Sequence, residues 1–167
     1  MPETYRAAIS DGDVYIRVVG QAGMRNVPTL DVFLRNEIEA GARWVCIDLS
    51  ACTGMDSTFM GTMVGFHRRL QEGDGERQAG LVVVNPGASN RKLLDMLGLS
   101  AVVPVVDRCQ APDVRFVPLA VADVVSPATR AKLIQEAHEH LVALSDENRT
   151  KFGPFLEALR KDLQKRP

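Results

Sequence analysis

The stretch WVCIDLSACTGMDSTFMGTMVGF, Trp44 to Phe66, decides the fold. Its first part, WVCIDL, is an apolar run that reads as a buried strand covered on both faces. SACTG then reads as a connector. At Asp56-Ser57-Thr58 the pattern restarts, with Met60, Met63, Val64 and Leu70 recurring at helical spacing, which predicts a helix over roughly 57 to 71. Strand, short connector and helix in immediate succession is half of a crossover unit.

The flanks supply the rest of that unit. Upstream, NVPTLDVFLRNEIEAG from Asn26 puts Leu30, Phe33, Leu34 and Ile38 on one helical face, with Pro28 in the first turn and Gly41 as the stop. Before it, TYRAAISDGDVYIRVVGQ holds two β-prone runs around Asp11-Gly12, a dipeptide that tolerates positive φ and suits a tight hairpin. Downstream, AGLVVVN ends at Asn85-Pro86-Gly87, and a helix carrying Leu93, Leu94 and Leu97 is expected over roughly 88 to 97. AVVPVVD then reads as a further strand. Strands alternating with helices imply right-handed crossovers, and the opening hairpin adds an antiparallel pair. The expected fold is therefore α/β, a mixed sheet of four to five strands with crossover helices.

After Asp107 the texture changes. RCQAPDVRFVPLAVADVVSP is a proline-punctuated connector, and Ser126-Pro127 makes a helix start of cap followed by proline. Leu133, Ala137, Leu141 and Leu144 share one face of that helix. Ser145, with Asp146 and Glu147 well placed against the helix dipole, opens a second helix. It carries Phe152, Phe155, Leu156 and Leu159 and is expected to kink, or to start late, at Gly153-Pro154. The chain thus divides into a domain over 1–117 and a C-terminal two-helix extension over 118–167. The apolar stripes of the extension need burial against the domain, a partner or a second copy, so a homodimer through these helices is one arrangement that satisfies them.

At 167 residues the chain suffices for one core and an appendage. A formal net charge of −1 and a pI near 6.3 give no footprint for direct nucleic-acid binding. No run approaches the roughly 20 apolar residues of a membrane span, so no membrane insertion and a cytoplasmic location are expected. Cys46, Cys52 and Cys109 form no close pair and read as structural thiols, and His138-x-His140 points to two helix faces, so no metal site is expected. The Gly-containing stretches GLVVVNPG and GDGERQAG lack a phosphate-binding signature, and no cofactor is expected. His67-Arg68-Arg69 and the terminal RKDLQKRP read as solvated basic faces.

The chemical question is the hydroxyl pair. Asp56 or Ser57 is placed to cap the helix, which accounts for one of the three polar side chains. A nucleophilic serine needs a base, and His67, about 15 Å along the same helix by its rise, is too far. His138 and His140 lie in the extension, and no G-x-S-x-G elbow is present, so no catalytic residue is assigned and an enzyme is not expected. The third reading is covalent modification: a phosphate on a helix N-terminal hydroxyl brings about −1.5 to −2 charges to a place whose N–H groups accommodate them.

Taken together, VCIDLSACTGMDSTFMGTMVG resembles the central motif of STAS domains, above all bacterial anti-sigma factor antagonists, where an Asp-Leu-Ser strand end precedes an Asp-Ser-Ser/Thr-Gly helix start. PTLDVFLRNEIEAG before it and NRKLLDMLGLSAVVPVVD after it fit the same pattern, so the resemblance covers roughly residues 4 to 110. It implies a regulatory binding module of a partner-switching pathway. The partner it implies is an anti-sigma factor with serine kinase activity, opposed by a serine phosphatase. Ser57 is the implied phosphoacceptor, with Thr58 as second choice, and Asp56, Ser57, Thr58, Phe59, Met60 and Gly61 form the implied contact surface. Phe59 departs from the family, which usually has glycine there. A bulky aromatic in the first helical turn either offers an apolar docking patch or hinders a kinase. The alternative function is a STAS-type scaffold or ligand-binding domain in a sensory or signalling complex, without phosphorylation.

Overall fold

The computed structural model describes residues 4–73, 78–121 and 125–165. Two strands, β1 (Tyr5–Ser10) and β2 (Asp13–Ala22), form the expected antiparallel hairpin. Asp11 and Gly12 take φ of 53° and 81°, the paired left-handed conformation a two-residue hairpin turn needs. Helix α1 (Val27–Glu39), strand β3 (Trp44–Met55), helix α2 (Ser57–Glu72), strand β4 (Gly80–Val84) and helix α3 (Ala88–Met96) follow. A 3₁₀ turn at Leu99–Ala101 leads into β5 (Val105–Val106).

The sheet has six strands in the order β5-β4-β3-β2-β1-β6, where β6 is Val117–Pro118. β2, β3, β4 and β5 are mutually parallel, while β1 runs antiparallel to both of its neighbours. The sixth strand corrects the expected four to five. Its two residues sit in the connector and pair with Arg6 and Ala7, a long-range ladder that no local pattern announces. Two more corrections concern length. SACTG is no connector, since β3 continues through it to Met55, carried by pairing with β2 as far as Ala22. AVVPVVD gives only a two-residue strand, because its first residue belongs to the 3₁₀ turn.

One face of the sheet carries Val14, Ile16, Val18, Val45, Ile47, Leu49, Leu81 and Val83, all fully or almost fully buried in the core. Alternate residues Tyr15, Arg17, Cys46 and Asp48 lie on the other face. That face is covered by the stretch from Cys109 to Phe116. Asn85 holds the stretch, its side-chain oxygen accepting from Cys109 N at 2.8 Å and its amide donating to the Cys109 carbonyl at 2.9 Å. Phe116 lies under the Arg17 guanidinium, which itself bonds Asp48 at 3.2 Å. Burial alone would raise the Asp48 carboxyl, but hydrogen bonds from Ser50, Asn85 and Arg17 outweigh it and hold the group below the usual carboxylate range. Burial pushes the Cys46 thiol up to about 12, and Cys52 also shifts upward, as structural thiols do.

The extension forms two antiparallel helices, α4 (Pro127–Val142) and α5 (Asp146–Lys165). Ser126 caps α4 by accepting from Thr129 N, as expected. α5 starts at Asp146 and continues past Pro154 to Lys165, so the expected late start at Gly153-Pro154 is corrected. Ser145 accepts from Asn148 N at its start, and Asn148, buried between helices, donates to the carbonyls of Leu97 and Leu141 at 2.9 Å each. The apolar stripe of α4, including Ala137 and Leu141, is buried against α2 of the same chain, so the stripe finds its cover intramolecularly. Most of the charged loop read between Gly73 and Gly80, and the end of RKDLQKRP, lie outside the described residues.

Candidate functional site

The site is the junction of β3 and α2. Asp56 leaves the strand in an extended conformation and caps α2, accepting from Phe59 N at 2.9 Å through one oxygen and from Met24 N at 2.9 Å through the other. Both oxygens are engaged, so Asp56 closes the helix end and ties it to the β2–α1 loop. Capping therefore explains Asp56 and leaves the hydroxyls free for another account.

Ser57, the first residue of α2, is half-buried, and its Oγ lies 2.9 Å from Nε2 of His138 on α4. Nδ1 of the same ring is 2.7 Å from the carbonyl of Ile134. A carbonyl only accepts, so Nδ1 carries a proton, and in the neutral ring Nε2 is then the acceptor of the Ser57 hydroxyl. The imidazole is 4% exposed and sits against Phe152 edge-on at 5.3 Å and Phe155 at 4.9 Å.

This contact corrects one step of the sequence argument. A base does stand within reach of Ser57, and it comes from the extension. The helical period could suggest that His138 and Leu141 share a face, but only the packing of α4 on α2 says what they face. The rest of the arrangement is not that of a hydrolase. The cap carboxylate of Asp56 stands at the helix start where a developing oxyanion would need donors, and two aromatic rings close over the imidazole.

The other residues of the expected contact surface point inward or under α4. Thr58 and Met60 are buried. Phe59 is fully buried and stacks on Tyr5, with ring centroids 6.5 Å apart, so it is neither an apolar docking patch nor an obstacle in front of Ser57. The family's glycine position has here become a core position. Tyr5 is itself held by donation to Asn26 at 2.8 Å, and burial, foremost, raises its hydroxyl pKa. Gly61 is buried directly beneath the Ala137 carbonyl, and a Cβ on Gly65 would lie 2.8 Å from the His140 ring. Gly61-x-x-x-Gly65 thus forms the flat track on which α4 rests. The spacing is plain in the sequence and is the signal that the close helix pair would have required.

His67 is the remaining correction. Expected on a solvated basic face, it is buried, accepts from Leu81 N at 3.0 Å through Nδ1, and has its pKa lowered, first by burial. Arg68 and Arg69 do reach a groove of about 410 Å³ between α1, α2 and α4, where Arg35 pairs with Asp31 and Glu136. Among the described residues no group of three or more His, Cys, Asp or Glu side chains is placed to hold a metal, and no helix is long and apolar enough to cross a membrane.

With this geometry in hand, the comparisons are specific about the fold. Residues 4–111 match the family model for the STAS domain. A Thermotoga maritima protein classed as an anti-sigma factor antagonist superposes with a TM-score of 0.56 at 18% identity, covering 62% of this chain and 86% of that one. SpoIIAA in its unphosphorylated form, an anti-sigma factor antagonist of Bacillus, gives 0.51 at 19% identity over 65% and 90% of the two chains. An anti-sigma factor antagonist from Mycobacterium paratuberculosis gives 0.52 at 23% over 63% and 86%. At these identities the likeness establishes the architecture. No curated protein matches the sequence.

Proposed function

The chain belongs to the STAS domain family, and on that premise we propose that it is a regulatory protein-binding module of a partner switch, acting as an anti-sigma factor antagonist does. Its contact surface is the start of α2, Asp56 to Gly61 with the residues that border it. Ser57 is the phosphoacceptor, Thr58 the second choice. The partner is an anti-sigma factor with serine kinase activity, a serine phosphatase resets the switch, and the protein works in the cytoplasm as a binding protein, not an enzyme.

The observation that carries this reading is the position of Ser57. It is the first residue of α2, its neighbour Asp56 already supplies the cap, and its hydroxyl is half-buried at a helix N-terminus. A phosphate there adds about two negative charges beside Asp56 at a position outside the sheet, so a docked partner is repelled while the sheet and its core persist. Thr58 is the weaker acceptor because its side chain is buried.

The test is incubation of the chain with ATP and each serine kinase encoded beside it, followed by mapping of the modified residue by mass spectrometry. Modification of Ser57, abolished in Ser57→Ala, is expected. Modification elsewhere, or partner binding indifferent to Ser57→Asp, contradicts the reading.

A second reading, a STAS-type scaffold or ligand-binding domain without a phosphorylation switch, draws on one observation. α4 covers the start of α2, so the surface a kinase needs is occupied within the chain.

A further inference from the structure

We propose that the α4–α5 hairpin is a built-in competitor for the surface at the start of α2, latched there by the Ser57–His138 hydrogen bond. This rests on the partner-switch reading for its biological meaning, though the latch itself is a property of the chain alone. A partner or kinase then has to displace the hairpin, and a phosphoryl group on Ser57 prevents it from closing again.

The seam is built for reversible contact. α4 buries few residues, Ala131, Ala137, His138 and Leu141, and two of these are alanines. Its fit depends on a backbone carbonyl settling on Gly61 and an imidazole settling on Gly65, so a small shift of α4 forfeits both contacts at once. Polar ties complete it: the buried Asn148 amide donates to the Leu97 carbonyl at 2.9 Å, and at the surface Arg130 donates to the Met24 carbonyl at 2.7 Å and Arg35 meets Glu136 at 3.5 Å. Such exposed ties contribute little each. α5 packs chiefly on α4, and its Phe152 and Phe155 hold the His138 ring. The hairpin therefore moves as one piece, carrying the acceptor away from Ser57.

The chemistry of the latch sets the direction of the switch. Ser57 donates into the lone pair of Nε2, whose tautomer is set by Ile134. Phosphorylation moves the γ-phosphoryl group of the kinase's ATP to Oγ, breaking its bond to the departing ADP and releasing the hydroxyl proton, so the neutral ring loses the donor that faced Nε2. In its place stand phosphate oxygens, beside the Asp56 carboxylate and in a space the imidazole fills. An occupied competitor also lowers the apparent affinity of any partner by the fraction of chains that are open.

Native-state hydrogen exchange of the full chain, read by mass spectrometry, tests this without any partner. In the wild type, amides of α4 and α5 are expected to exchange at least tenfold faster than those of β3 and β4, through opening of the hairpin. Ser57→Glu and His138→Ala are each expected to raise exchange in α4 and α5 a further tenfold while β3 and β4 stay protected. Exchange of α4 and α5 only together with β3 in the wild type, or unchanged or slower exchange in α4 of Ser57→Glu, overturns the proposal. The outcome is separable from the partner-switch reading. Opening in Ser57→Glu with no kinase modifying Ser57 sinks the switch and keeps the latch. Modification of Ser57 with no change in α4 sinks the latch and keeps the switch.

Discussion

Gly61 on α2 lies beneath the carbonyl of Ala137 on α4 with no room for a Cβ between them. Two forces act on Gly61→Ala. The helix gains about 1 kcal/mol from alanine propensity. The methyl group, however, meets backbone that can yield only if α4 lifts, and overpacking of this kind costs roughly 1–3 kcal/mol or more. A net destabilisation of about 1–2 kcal/mol in urea unfolding is expected, with α4 losing exchange protection first. A stabilised variant with α4 undisturbed would show that the helices do not meet at Gly61.

Phe59→Ala is expected to cost about 3–5 kcal/mol, the range for deleting a buried aromatic ring. The ring stacks on Tyr5 in the core, so restoring the family's glycine at this position should be at least as damaging. A change below about 1 kcal/mol in chemical denaturation would return Phe59 to the surface, since surface substitutions fall within that range.

Asn148→Ala takes this donor from the Leu97 carbonyl in a buried site, while the Leu141 carbonyl keeps its bond from Leu144 N at 3.1 Å. Unsatisfied buried acceptors cost about 1–3 kcal/mol, and the loss should fall on the docking of α5. Faster cleavage of α5 by a trace protease, with the sheet resistant, is the expected observation. Wild-type resistance throughout would mean that the amide bridges nothing of consequence.

His67 and His140 give the protein a pH dependence of definite sign. Burial lowers both below the ordinary imidazole value. The folded chain then binds fewer protons than the unfolded one, so stability is full above about pH 6.5, the unfolded histidine value, and falls as pH drops below it. The urea midpoint at pH 5.5 should lie below that at pH 7.5, and His67→Asn, which keeps an acceptor near Leu81 N, should flatten the slope. A midpoint independent of pH between those values would show that neither ring resists protonation.

Most of the domain was legible because its determinants are local. The Asp11-Gly12 turn, the Ser126-Pro127 start and the apolar period of α1, α2 and α3 each decide their own conformation. β6 was missed because Val117 and Pro118 become a strand only by pairing with β1, more than a hundred residues earlier. SACTG was misread because pairing with β2 overrides its small, polar composition. Phe59 was legible and passed over, since Phe59, Met63, Phe66 and Leu70 form one helical stripe and all four are buried. His67 lies seven residues after Met60 on the same principle. The Ser57–His138 contact is of another kind. It joins residues 81 apart, and only the docking of α4 on the Gly61–Gly65 track brings them together.

Titration of the proposed partner, an anti-sigma factor with serine kinase activity, against wild type, Ser57→Ala and Ser57→Glu tests the central claim most directly. The account requires that Ser57→Ala, which loses its bond to His138 and gains no charge, bind at least as tightly as wild type, and that Ser57→Glu bind at least tenfold more weakly, a difference of about 1.4 kcal/mol. Ser57→Glu binding as tightly as wild type would show that charge at the start of α2 does not govern the partner, and the account would fail.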